Sequence, residues 1–140
     1  MLTVQEIQAY FDGSPAISAL GLRAVAVDAD KGTFEAQMPF KSEHERRANT
    51  GQFHGGPIAS FIDTVGDFVV AAQLGAPVPT VNLRIDYLRP AFAPHVCGIA
   101  TIRRIGKSMA VVDIDVHDAA GKLVAIGRGN FSTAVAAPEK

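Results

Sequence analysis

Apolar residues recur along this chain with two different periods, and the change of period divides it into elements. Val4, Ile7 and Phe11 fall at helical spacing, so residues 3–12 form a short amphipathic helix. Ser14-Pro15 reads as an N-cap followed by a first-turn proline, opening a second short helix that ends at Leu20. From Leu22 the period becomes that of strands. Leu22–Val27 and Thr33–Met38 flank the turn-forming run Asp28–Gly32, a hairpin signature. Residues 41–52 are polar and carry no period, which makes them a loop long enough to be functional.

A long helix follows from about Gly56 to Leu74. Ile58, Ile62, Val65, Val69 and Ala72 draw an apolar stripe at helical spacing, and Phe61, Phe68 and Val70 widen it until most of the helix must be buried. Gly75 stops it, and Pro77 and Pro79 prevent its continuation. The last third alternates again. Val81, Leu83, Ile85 and Tyr87 interleave with Asn82, Arg84 and Asp86, and three further strands follow at Val96–Ile105, Met109–His117 and Lys122–Thr133. Gly106-Lys107-Ser108 and Asp118-Ala-Ala-Gly121 supply the turns between them. Two strands, one buried helix and four strands joined mostly by tight turns predict an α+β domain, a mostly antiparallel sheet of about six strands wrapped round one helix. The later strands lack the crossover helices of a doubly wound fold.

With 140 residues and nearly half of them hydrophobic, the chain reads as a single domain spanning 1–140, its first 20 residues helical and its last seven, 134–140, a flexible tail. A net charge of −1 gives no basic field for nucleic acid or an anionic membrane. The lone Cys97 has no partner for an internal disulfide and sits in an apolar strand, where a core role is expected. The N-terminus lacks the pattern of a signal peptide, and apolar runs such as Phe68–Ala72 are too short to cross a bilayer. A cytoplasmic protein is expected.

The chemistry concentrates in residues 54–63, His-Gly-Gly-Pro-Ile-Ala-Ser-Phe-Ile-Asp. A helix opening on Gly55-Gly56-Pro57 presents bare backbone N–H groups and the positive end of a dipole, a place for a developing oxyanion. Asp63, a carboxylate among apolar residues, needs a partner or a task, and the task open to it is that of a general base on water or of a nucleophile attacking the carbonyl directly. Eight residues of helix put Gly55 and Asp63 about 12 Å apart along the axis, whereas reacting atoms approach to about 3–3.5 Å. Two antiparallel copies of the helix remove the conflict by setting the N-terminus of one beside Asp63 of the other. The spacing therefore predicts a dimer with two composite sites. Asp63 shares a face with Ala59, Gly66, Asp67 and Val70, and the small residues leave room for a ligand. Asp67, one turn away, reads as a solvated or interface charge. His54 is expected to hold the preceding loop through a ring hydrogen bond, Thr80 to place a hydroxyl near Asp63, and Asn49 to orient a water or a carbonyl. No metal-ligand spacing, nucleophile elbow, P-loop or dinucleotide fingerprint occurs. Arg46, Arg47, Arg103, Arg104, Lys107 and Arg128 are candidates to grip phosphates.

The run Asn49-Thr-Gly-Gln-Phe-His-Gly-Gly, then Asp63, then Thr80-Val-Asn-Leu-Arg-Ile-Asp-Tyr-Leu-Arg-Pro-Ala91 resembles the hotdog-fold acyl-CoA thioesterases, in particular the phenylacetic-acid-degradation (PaaI-like) branch. The similarity extends from about Leu20 to Thr133. It implies a hotdog fold, homodimers paired into dimers of dimers, and sites at the subunit interface. It also implies hydrolysis of an acyl-CoA carrying an aryl or a short or medium acyl group, with coenzyme A as part of the substrate and no separate cofactor. By the resemblance, Asp63 matches the catalytic carboxylate, Gly55 the amide that polarises the thioester carbonyl, Thr80 the hydroxyl that holds the attacking water, and His54 the motif histidine near the carbonyl. The branch usually carries an asparagine six residues before that histidine. Here this position is Ala48, and Asn49 stands five before it, so a loop shorter by one residue has to deliver the amide. Gly56, Arg89, Arg103, Arg104 and Lys107 are the expected contacts to the rest of the substrate. Two other classes compete with the hydrolase. One is a non-catalytic acyl-CoA binder or sensor, against which the retained Asp63 and Gly55 argue. The other is a hydratase or dehydratase, which needs an acid–base pair not found around His54.

Overall fold

The computed structural model describes residues 1–134, so the expected tail beyond Ala134 lies outside the described residues. Helix α1 (Val4–Gly13) opens on a capping box in which Thr3 Oγ1 accepts the Glu6 N–H and the Glu6 carboxylate accepts the Thr3 N–H. Helix α2 (Pro15–Leu20) opens on Ser14 and closes on Gly21 at φ 72°. Strands β1 (Arg23–Asp28) and β2 (Thr33–Pro39) follow, then the long helix α3 (Gly55–Leu74), closed by Gly75 at φ 89°. Strands β3 (Thr80–Tyr87), β4 (His95–Ile105), β5 (Met109–Asp118) and β6 (Leu123–Ser132) complete the chain. All neighbours are antiparallel, in the order β1-β2-β4-β5-β6-β3.

Alternation decides which face of the sheet meets α3. Phe34, Ala36 and Met38 of β2 and Ala110, Val112, Ile114 and Val116 of β5 point inward and are fully buried. The predicted stripe of α3 packs on them, with Ile58, Phe61, Ile62, Val65, Phe68 and Val69 all buried. Burying each of these large side chains contributes about 1.5–3 kcal/mol. Helix α1 closes one end of this core, Phe11 meeting Phe34 and Phe68 edge to face. By length and hydropathy α3 would reach across a membrane, which the sequence expectation of short apolar runs overlooked. Its apolar surface is instead taken up by the sheet.

Three expectations change. Gly66 leaves no room for a ligand: a Cβ there would stand 2.7 Å from the Phe131 ring, so the missing side chain lets helix and sheet approach each other. Cys97 is not core. It lies half-buried on the outer face of β4 near Glu35 and Gln37, and burial together with the Glu35 charge pushes its thiol up. The loop 41–52 is more ordered than its composition suggests. It holds a 3-10 turn at Ser42–His44 and an isolated bridge between Glu45 and Phe53.

Candidate active site

Helix α3 begins one residue earlier than its pattern indicates, because His54 is the N-cap and Gly55 the first helical residue. The His54 Nδ1 accepts the Gly56 N–H at 2.9 Å. The expected hydrogen bond of this ring to the preceding loop is thus replaced by a cap on the helix itself; the loop is held by the backbone, His54 N–H to His44 O at 2.7 Å. An accepting Nδ1 leaves the proton of the neutral ring on Nε2, so His54, which is exposed, presents an N–H donor to solvent. The Gly56 amide is committed to this cap. The Gly55 amide has no hydrogen-bond partner among the described residues and stands at the positive end of a 20-residue helix. The Gly55 carbonyl accepts the Tyr87 hydroxyl at 2.7 Å, and a Cβ on Gly55 would lie 3.3 Å from the Tyr87 ring. Tyr87 was not foreseen as a site residue; its only sequence signal is its place in the Tyr-Leu-Arg-Pro run.

Two turns along α3, Asp63 meets the other end of β3. The Thr80 hydroxyl donates to Asp63 Oδ1 at 2.6 Å. One turn further, Asp67 Oδ1 accepts the Val78 N–H at 2.8 Å. Of the two expected readings of Asp67, a solvated or an interface charge, the structure excludes the first. Asp67 is half-buried, and desolvation first, then the charge of Asp63, push its carboxyl up to about 7 against the pull of the Val78 hydrogen bond. Both acids line a cleft of about 310 Å³ between α2 and α3, walled by Ala16, Ile17 and Leu20. The chain leaving α3 thus runs back along it, with Val78 at Asp67, Thr80 at Asp63 and Tyr87 at Gly55.

Asn49 sits in the left-handed region at φ 65°. The Glu45 carboxylate holds it there, accepting the N–H groups of Asn49 at 3.0 Å and Gly51 at 2.7 Å. Beneath the loop, His44 is buried and stacked on Phe53, with Nδ1 accepting the Lys41 N–H. Desolvation pulls the His44 pKa down.

The basic candidates do not converge on these groups. Arg103 and Arg128 both turn to Asp113 on the outer face of the sheet, Arg128 with two hydrogen bonds of 2.6 and 2.9 Å and Arg103 at 3.6 Å. The Arg128 hydrogen bonds hold the Asp113 carboxyl below its usual range. Arg104 folds over Gly106 in the β4–β5 turn that also carries Lys107. Arg89 is exposed just beyond β3, at the end of that strand nearer Gly55.

A carboxylate with a hydroxyl donor, and at a distance an unpaired amide on a helix N-terminus, is the donor and acceptor set of an acyl-transfer site. Comparison with known proteins agrees with that chemistry. The pattern of the thioesterase superfamily matches residues 50–125, a stretch holding Gly55, Asp63 and Thr80. The acyl-coenzyme A thioesterase PaaI of Escherichia coli is 30% identical over 89% of this chain and 86% of its own. The medium/long-chain acyl-CoA thioesterase YigI of the same organism is 27% identical over 69% of this chain and 74% of its own. The crystal structure of a thioesterase from Haemophilus influenzae superposes with a TM-score of 0.83 at 25% identity, covering 94% of this chain and 90% of that one. On the fold, the site and these likenesses together, the chain belongs to the thioesterase superfamily and is a thioester hydrolase.

Proposed function

We propose that the protein hydrolyses the thioester of an acyl-CoA at two composite sites in a homodimer, which pairs further into a dimer of dimers. The observation that carries this reading is the way β3 is tied to α3. This edge strand touches Asp63 through Thr80 at one end and Gly55 through Tyr87 at the other. Antiparallel pairing of β3 with its copy sets the Thr80 end of one protomer beside the Tyr87 end of the other. The free Gly55 amide then faces Asp63 of the partner chain, which the roughly 12 Å between them within one helix forbids.

In this arrangement the Gly55 N–H and the helix dipole stabilise the oxyanion as the thioester carbonyl becomes tetrahedral. His54 offers its Nε2–H beside the same carbonyl. Asp63 has one oxygen held by Thr80; the other takes the proton of the water as its oxygen bonds to the carbonyl carbon, and that proton passes to the CoA sulfur as the C–S bond breaks, releasing the free acid and CoA. Asn49 helps orient that water, and Gly56 lines the carbonyl end. The acyl group enters the α2–α3 cleft, whose size and apolar wall suit an aryl or a short or medium chain. Arg89, exposed at the Gly55 end of β3, is the proposed contact for the phosphates, with Arg104 and Lys107 of the β4–β5 turn as further contacts, whereas Arg103 is engaged by Asp113 on the outer face.

Release of free thiol from a panel of acyl-CoA substrates, spanning phenylacetyl, hydroxybenzoyl, short, medium and long acyl groups, tests the reading. Turnover of at least one member is expected, with a loss of about 10²–10⁴ in Asp63→Asn on an unchanged fold. Near-normal hydrolysis by that variant would remove Asp63 from the mechanism, and tight acyl-CoA binding without turnover would make the protein a binder.

A further inference from the structure

Asp67 occupies a position that the hydrolytic scheme leaves without a task. It is acidic, half-buried and one helical turn from the carboxylate that takes the proton. A second carboxylate at such a place is costly, because burial and a like charge both oppose its ionised form. What it gains is one backbone hydrogen bond, from Val78, a buried residue of the connector between α3 and β3. That connector, Gly75-Ala-Pro-Val-Pro79, contains two prolines, which lack an amide donor and anchor the chain less. Val78 N–H is thus the point at which α3 holds the segment leading to Thr80.

We propose that Asp67 is a positioning residue of this site: by accepting the Val78 N–H it fixes the connector that presents Thr80, and so sets where the Thr80 hydroxyl meets Asp63. The inference rests on the hydrolase reading for its effect on turnover, but not for its structural part. Two residues separate the anchored amide from the hydroxyl; β6 holds the far side of that segment, Ser132 N–H donating to Pro79 O at 2.9 Å, so Asp67 supplies its hold on the α3 side, the side on which Thr80 meets Asp63. The 2.6 Å contact leaves little slack, because an O–H donor beyond about 3 Å no longer makes a good bond.

Ionisation of Asp67 modulates the anchor. A carboxylate is a stronger acceptor than the protonated acid, so the connector tightens as Asp67 loses its proton near neutrality. Around Asp67, helix α2 contributes Ala16, Ile17 and Leu20, the connector Val78, and β3 Thr80, none of them titratable here. Asp63, on α3 itself, is the titratable group that faces it among the described residues.

Two variants separate the anchor from the charge. Asp67→Leu removes both, and Asp67→Asn keeps an acceptor oxygen without the titration. Amide hydrogen exchange at Val78 is read first, because it needs no substrate. It is expected to rise at least about tenfold in Asp67→Leu and to recover in Asp67→Asn. Turnover is read next. Asp67→Leu is expected to lower kcat by about ten- to a hundredfold with KM little changed, to add nothing further in a Thr80→Val background, and to be rescued in large part by Asn. The wild-type kcat should rise in a step through about pH 7 that Asp67→Asn lacks. Unchanged Val78 exchange in Asp67→Leu would overturn the proposal, as would losses that add to those of Thr80→Val. If Asp67→Leu does not fold, the pH profile of Asp67→Asn decides, and a step that persists there overturns it. Absence of turnover in the wild-type protein would sink the hydrolase reading and leave the exchange result to judge Asp67.

Discussion

The sheet has two edges, and the chain treats them differently. At β1 the edge is covered. Gln8, on α1, donates to the Leu22 carbonyl at 3.2 Å and accepts the Ala24 N–H at 2.8 Å, taking up two groups that another strand would otherwise seek. At β3 no side chain of the described residues takes the outer backbone row, and Val81 and Tyr87 stand about half exposed beside it. A sheet edge left open in this way pairs with another chain unless something prevents it. The open edge is also the one whose residues touch Gly55, Asp63 and, through the connector, Asp67. The closed edge serves the fold of one chain, and the open edge carries the residues that the proposed dimer would bring together.

The strongest way to break this comparison is to divide the site between two inactive chains. Gly55→Pro removes the free amide while keeping a residue suited to the first turn of a helix, at the cost of a 3.3 Å approach to Tyr87. Asp63→Asn removes the base. Each homodimer is expected to be inactive. In a mixed dimer of the two, one site carries both defects and the other carries none. Co-refolding equal amounts should therefore restore about a quarter of wild-type thiol release, since half the dimers are mixed and half their sites intact. Activity that stays at the level of the parents would place both groups of each site within one chain.

A pair of matched substitutions sharpens the contrast between the edges. Val25 on β1 and Val81 on β3 are exposed to similar extents, 49% and 53%. Val81→Asp puts like charges close together where two β3 strands meet, and is expected to shift the protein toward monomer at micromolar concentration and cut turnover at least about tenfold. Val25→Asp should leave both unchanged. Light scattering coupled to gel filtration reads the first effect, and the acyl-CoA assay the second. Equal behaviour of the two variants would erase the distinction.

Much of this was legible in the sequence, and what was legible had a period. The α3 stripe, the alternation in β2 and β5, and the glycine that ends α3 each follow from one local rule repeated over several residues. The separation of Asp63 from Gly55 was legible too, because both lie on one helix and helical rise fixes the distance between them. What escaped has no period. Asp67 and Asp63 are the same residue type on the same helix, and only the fold reveals that one meets a hydroxyl and the other an amide. Gly66 reads as space in the sequence and as contact in the fold, since its neighbour Phe131 arrives from a strand more than sixty residues away. Tyr87 acts through one hydrogen bond and Glu45 through two, all to backbone atoms, which leave no mark on residue patterning.

The acid that closes the Thr80 end of β3 also leaves a signature in stability. The folded state holds the Asp67 proton up to about 7, whereas the ordinary value is 3.8. A folded pKa raised in this way contributes stability that is fully present below the ordinary value and is lost as pH rises through the folded one. Asp67→Asn does not titrate. It should match wild type near pH 3.5 and exceed it at pH 8 by about 1–3 kcal/mol, read as the difference between urea unfolding midpoints at the two pH values. A constant offset between the two proteins across that range would mean that Asp67 ionises as freely in the fold as in the unfolded chain.

The smallest expected effect belongs to the other end of β3. Tyr87 is half exposed, and its hydroxyl bonds a carbonyl of the first turn of α3. Tyr87→Phe keeps the ring against Gly55 and removes one hydrogen bond, worth about 0.5–1.5 kcal/mol net. If the bond serves only the fold, the variant loses about that much stability and keeps its kcat. If β3 also aligns the Gly55 amide for the partner chain, kcat falls by about two- to tenfold while dimerisation stays intact, because strand pairing does not use the hydroxyl. The second outcome is expected, since the Tyr87 ring and hydroxyl contact the residue whose amide is left free. Thiol release measured at a protein concentration where wild type and variant are both dimeric distinguishes the two, and an unaltered kcat would confine the role of Tyr87 to joining strand and helix.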